Sequence, residues 1–250
     1  TKSPKVKDLD LDISLNVNWA NSYLDSGKDF VVQGDLDEIE AEREGKKHGL
    51  LWGYMAPLAM ITAFMFFLVG GATDAFNSFT ITYLNIDLGH AYEDANMASM
   101  VASFGMLVGS LIVGVIFARV RDKGMVLIVN IVLCIIVQFA WFNLDASMPV
   151  MFIVAFFAGC VLGAAPTIFF AIPPFVARSS TTVGAAVALV VLGQNLGTLA
   201  IPTLVGSVLD HASYSAAAWV MGGLSCVALV AAFVFRSQFR KREQAGELSD

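Results

Sequence analysis

One aspartate stands where an apolar helix would not place it. Asp74 follows Gly70 and Gly71 in the segment LVGGATDAFNSFTITYLNIDLG, Leu68 to Gly89. It is the only ionisable residue well inside any apolar run of the chain. Asn77 and Ser78 come three and four residues later, so a helix would put all three on one face. A carboxylate at membrane depth is costly against lipid, so it must look at protein or at water. The paired glycines one turn earlier weaken the helix locally, which suits a substrate or ion site. Two readings stay open. Asp74 couples proton or cation movement or touches a substrate, or it is an acid satisfied by a partner helix or by water at the outer mouth.

A second polar group lies in VLGQNLGTLAIP, Val191 to Pro202. Gln194 and Asn195 are adjacent, so in a helix they point about 100° apart. Each needs hydrogen bonds at that depth, and interhelical bonding and ligand contact both supply them. Glycines recur at small-xxx-small spacing: Gly105 and Gly109, Gly159 and Gly163, Gly193 and Gly197. That spacing lets two helix backbones approach closely. Pro166, Pro173 and Pro174 interrupt the run AAPTIFFAIPPFVA and predict a bend or break there.

Enzymatic chemistry is not expected. His48, His90 and His211 lie in separate segments, and no spacing suits a metal. Phosphate-binding, nucleophile-elbow and HExxH patterns are all missing. No cofactor is implied, and no basic patch suits nucleic acid. Cys134, Cys160 and Cys226 sit in apolar runs and read as small core residues rather than as a disulfide framework.

The elements that must position these groups follow from composition. The 250 residues are 57% hydrophobic and only 14% charged, with a mean hydropathy of +0.70. A soluble domain carries about a quarter charged residues, so the chain reads as an integral membrane protein. Six apolar stretches are long enough to cross about 30 Å of hydrocarbon. They cover 51–83, 94–118, 124–143, 148–176, 181–209 and 215–236. The turns between them are short, so neighbours run antiparallel.

Charge predicts the orientation. Arg43, Lys46 and Lys47 precede the first span, and Arg119, Arg121 and Lys123 flank Asp122 in the second loop. Arg178 lies in the fourth loop, and Arg236, Arg240, Lys241 and Arg242 close the last span. The other three loops hold no Lys or Arg. This asymmetry places both termini on the cytoplasmic side, in a bacterial inner membrane or its equivalent.

The organisation expected is a cytoplasmic N-terminal segment or inter-half linker 1–49, a six-helix transmembrane bundle 50–238 and a cytoplasmic tail 239–250. Residues 1–50 carry eleven acids against seven Lys/Arg. Leu9, Leu11, Ile13, Leu15, Val17 and Trp19 alternate with polar residues, a half-buried strand pattern. DFVVQ follows as a second short run, so a hairpin is expected, then a charged helix; a flexible acidic linker is the alternative. The chain opens on Thr1 without a signal-peptide pattern, which reads as a processed end or one part of a larger product.

Four features together resemble the C-terminal six-helix half of a major facilitator superfamily transporter. The first span ends FTITYLNIDLG, similar to that family's seventh helix. GVIFARVRDKG, Gly114 to Gly124, resembles its basic loop between helices eight and nine, with Ala118 where the family usually has Asp. Val183 to Asp210 is similar to its eleventh helix. Six spans with both ends inside complete the likeness, over residues 50–240.

The fold class expected is therefore an all-α membrane protein, one bundle of the major facilitator type. The resemblance implies that spans one and four line a central cavity, making Asp74, Asn77 and Thr167 cavity candidates. It implies that spans two and five, with Gly105, Gly109, Gly193 and Gly197, face a second half. Alternating access needs two bundles around one site. The partner expected is a second six-helix half, separate or cleaved, or else a homodimer partner; the strand near Leu9–Trp19 could help hold it by strand addition. The function expected is a transporter half that moves a small organic solute in the bilayer, with proton coupling through Asp74. The alternative is a non-transporting structural or regulatory subunit.

Overall fold

The computed structural model describes residues 57–176 and 180–244. The hairpin and helix expected over 1–49 and the loop residue Arg178 lie outside the described residues. Six long helices follow one another. They are α1 Pro57–Thr82, α2 Tyr92–Arg119, α3 Lys123–Trp141, α4 Met148–Ala171, α5 Ser180–Leu209 and α6 Tyr214–Gln244. All six are long and apolar enough to cross a membrane. The architecture is an all-α membrane bundle, as the hydropathy predicts, with no strand among the described residues.

Two features differ from the spans read off hydropathy. The fourth span breaks at Ile172, and Pro173–Val176 forms a separate helical turn. Pro173 and Pro174 cannot donate back to the preceding turn, so α4 stops there, whereas Pro166 is carried inside it. The sixth helix runs to Gln244, through residues assigned above to the tail. Arg, Lys, Glu and Gln are good helix formers, and the first turns of α3 anchor this stretch, as shown below.

The helices are clasped in pairs. α2 and α4 run parallel, and so do α1 and α5. On α2, a Cβ on Gly105 or Gly109 would strike the backbone of Phe156 or Cys160. On α4, a Cβ on Gly159 or Gly163 would strike Ala102 or Met106. The α1–α5 pair repeats the device: Gly193 abuts Ala63, Gly197 abuts Phe67, and Gly71 abuts Gly197. In lipid no hydrophobic force drives helices together, so such close van der Waals approach supplies much of the association. Ser110 adds a 2.7 Å hydrogen bond to the Gly163 carbonyl across α2 and α4.

α3 and α6 run antiparallel. Ser225 donates to the Gln138 amide oxygen at 2.9 Å in a fully buried contact, and Phe139 meets Trp219 edge-on at 4.7 Å. α1 is the central helix: 72% of its apolar window is buried, against 28% for α2 and 22% for α5. Its C-terminal end unwinds into a π-helical turn, Tyr83–Asp87, fastened by Tyr83 Oη donating to the Leu144 carbonyl at 3.0 Å.

Candidate functional site

α1 brings Asp74 to its boundary with α5. The Thr198 hydroxyl of α5 donates to Asp74 Oδ2. Asp74 is half-buried, while Asn77 and Ser78 on the same face are exposed. On α5, Thr198 and Asn195 are exposed and lie one turn apart, and Gln194 is partly buried beside them. A polar patch thus continues across two glycine-clasped helices. Gly197 makes this geometry feasible, because its missing side chain lets the backbone of α1 reach the turn that carries Thr198.

The helix around Asp74 is softened. The Ser78 hydroxyl donates to the Asp74 carbonyl at 2.8 Å, and Thr80 and Thr62 do the same four residues back at 2.7 Å. Such bonds compete with the helical ladder and bend it. Buried Thr73 Oγ1, next to Asp74, has no partner among the described residues. A π turn, Tyr83–Asp87, follows beyond, and π turns recur at functional sites.

Thr167 lies apart from this cluster. It sits four residues before the end of α4, with its methyl 3.8 Å from a Cβ position at Gly114 of α2. Asp74 is seventeen residues into α1, counting from Pro57. Phe66 of α1 stacks on Phe169 of α4 at 4.7 Å, so Thr167 is level with about Leu68 of the antiparallel α1, and at about 1.5 Å per residue Asp74 stands roughly 9 Å further along. Thr198, by contrast, was not singled out by the sequence. Threonine in a membrane helix usually bonds its own backbone and leaves no signal. The clue available was its place three and four residues after Asn195 and Gln194.

The glycines singled out for helix contact are filled from within the bundle. Gly105 and Gly109 face α4 rather than a second half, and Gly193 and Gly197 face α1. What α2 and α5 leave uncovered is a different set of side chains. On α2 these include Met100, Phe104, Leu107 and Leu111, and on α5 Leu192, Leu196 and Leu199.

A second constellation closes the basic end. Asp122 caps α3, accepting from the Met125 amide at 3.0 Å. It also accepts from Arg236 Nε and Nη2, at 3.1 and 2.7 Å, and from Arg240 Nη2 at 2.6 Å. Gly124 permits this, since Arg236 lies where its Cβ would be. Lys123 caps the other helix: its ammonium donates to the Phe117 carbonyl and, at 3.5 Å, to that of Ala118. It also lies 4.9 and 5.3 Å from the ring centres of Phe117 and Phe175. Arg121 makes an exposed pair with Glu243 at 3.8 Å, and Arg119 is exposed. The acid that the family places before Arg119 is Ala118 here, and Asp122 does the pairing in this loop.

Partial burial pushes the Asp122 carboxyl up, but the hydrogen bonds from Arg236, Met125 and Arg240 and the charge of Arg236 outweigh it, so it lies below its ordinary value. A depressed carboxyl stabilises the fold above the unfolded value, about 3.9, and that stability is lost as pH falls through the lower folded value. Asp122→Asn is expected to cost about 1–2 kcal/mol at pH 7, an estimate reduced for partial solvent exposure. It should also flatten the acid limb of stability below about pH 4. Thermal melting in detergent across pH checks both. An unaltered acid limb would assign that limb to other carboxylates.

Among the described residues no cluster of His, Cys, Asp or Glu could hold a metal. The geometry is that of a multi-pass membrane bundle with one polar, partly open helix boundary. The family model of the Major Facilitator Superfamily matches residues 55–249, and the chain belongs to that family of membrane transporters, with the six helices of one half. Comparison with curated proteins matches none.

Proposed function

We propose that this chain is one half of a secondary transporter, and that the Asp74–Thr198 boundary of α1 and α5 lies on the path of a small organic solute. The observation that carries the reading is the exposure of a polar patch beside a hydrogen-bonded acid, on helices otherwise built for lipid. Ser78 and Thr198 already donate to Asp74, whereas Asn77 and Asn195 are exposed and would lose their hydrogen bonds to water in hydrocarbon. They suit a water-filled cavity shared with a second bundle. The uncovered faces of α2 and α5 are where that bundle would seat. Both termini lie on the cytoplasmic side by the distribution of Lys and Arg.

The path carries one acid and no Lys or Arg, so neutral or cationic amphiphiles fit it better than polyanions. Proton coupling falls to Asp74. Purification from the native membrane in mild detergent, with mass spectrometry of what co-migrates, tests the assembly. A second six-helix chain, or a second copy of this one, is the expected result. Co-migration with a large complex containing no transporter half would favour a structural subunit, with the Thr198 bond to Asp74 as a static contact.

A further inference from the structure

The last three turns of α6 carry a groove of about 320 Å3, lined by Phe233, Arg236, Ser237, Arg240, Lys241 and Gln244. These positions follow i, i+3, i+4, i+7, i+8 and i+11, so they form one stripe along the helix. The stripe does not point into the bundle. Phe233, Ser237, Arg240, Lys241 and Gln244 are all exposed. Arg236 and Arg240 share one carboxylate, Asp122, and Lys241 beside them has no partner among the described residues. Each guanidinium holds five N–H donors, and Asp122 engages only two on Arg236 and one on Arg240. The carboxylate fixes both groups in place while leaving donors and net positive charge for something else.

Toward the membrane interior the same face turns apolar. Phe233, Val230 and Val227 continue the stripe, exposed by 54%, 66% and 51%. The apolar track leads to the mouth of a groove between α3 and α6 at Cys226. From Arg240 to Cys226 is fourteen residues, about 21 Å along the helix. A cationic, hydroxyl-bearing head site at the membrane boundary, continuous with an apolar track inward, has the polarity profile of a phospholipid.

We infer that this groove seats the phosphate headgroup of an anionic phospholipid from the leaflet at the basic end. Its acyl chains lie along Phe233 and Val230. A free phosphate would use the cations alone and would have no use for the track. The seat needs neither the solute path nor a second half.

The test uses the full chain in mild detergent, mixed with equal phosphatidylglycerol and phosphatidylcholine, and counts retained lipid by native mass spectrometry. Preferential retention of phosphatidylglycerol is expected. Lys241→Gln should lower it about fivefold and the double variant Arg240→Gln/Lys241→Gln about twenty-fivefold, at the usual gain per cation near a charged surface. Arg119→Gln/Arg121→Gln removes two cations at the same end but outside the groove, and should leave retention within about twofold. Size-exclusion profiles identify any variant that has lost its fold. Equal retention of the two lipids overturns the inference, as does an unchanged double variant. An equal loss in Arg119→Gln/Arg121→Gln would reduce the effect to general surface charge. Displacement of the lipid by inorganic phosphate would assign the groove to a free anion.

Discussion

Gly109→Val is expected to abolish the folded bundle. A Cβ at position 109 would fall within the Cys160 backbone, where no flexible side-chain end can move aside. The two helices can accept it only by separating. Separation also opens the contacts at Gly105, Gly159 and Gly163, because the four glycines interleave along one parallel seam. Overpacking in an ordinary core costs about 1–3 kcal/mol, because side chains can adjust. Here backbone meets backbone, and the van der Waals contacts along the seam are the main source of association in lipid. A loss above about 3 kcal/mol follows, a large part of a typical stability. Gly184→Ala is the control, since a Cβ there meets nothing within 4 Å and alanine favours helix by about 1 kcal/mol. Size-exclusion profiles and thermal melting in detergent should show Gly109→Val aggregated or absent and Gly184→Ala intact. A well-folded Gly109→Val with an unchanged melt would mean that the α2–α4 seam is looser than described.

That seam also shows what the sequence could and could not say. The glycine spacing announces that a backbone comes close, because nothing else explains four residues without side chains at that interval. It does not say whose backbone. The family resemblance placed the α2 and α5 glycines against another half, yet their partners are α4 and α1 of the same bundle. The six spans were legible for a simpler reason: each is a local run of apolar residues bounded by polar turns. Asp122 was legible only as one charge in a basic loop. Its pairing with Arg236 and Arg240 bridges 114 and 118 positions of sequence, and no local rule joins residues so far apart. Thr198 failed for the opposite reason, since its own neighbourhood offered it an ordinary structural role. Asp74 was conspicuous because one charge in a long apolar run has few explanations.

Asp74→Asn separates the two readings of that charge. Asparagine has the same shape, and its amide oxygen can still accept from the Thr198 hydroxyl, so a purely structural contact survives the change. What it cannot do is release and regain a proton. One pH unit across a membrane is worth about 1.4 kcal/mol per proton, which can hold a coupled solute at about a tenfold concentration ratio. In vesicles holding the assembled transporter, the wild type should concentrate an organic cation that does not cross lipid by itself when a pH difference is imposed. Asp74→Asn should bring the ratio to about one while exchange of labelled for unlabelled solute continues, because the path itself is intact. Thr198→Val should act differently. It leaves the carboxylate and removes its donor, so coupling persists at a lowered rate. Concentrative uptake unchanged in Asp74→Asn would show that Asp74 carries no proton. Loss of exchange as well as accumulation, with the protein still folded, would make the carboxylate a contact for the solute rather than for the proton, since only then does its charge matter when no gradient is being used.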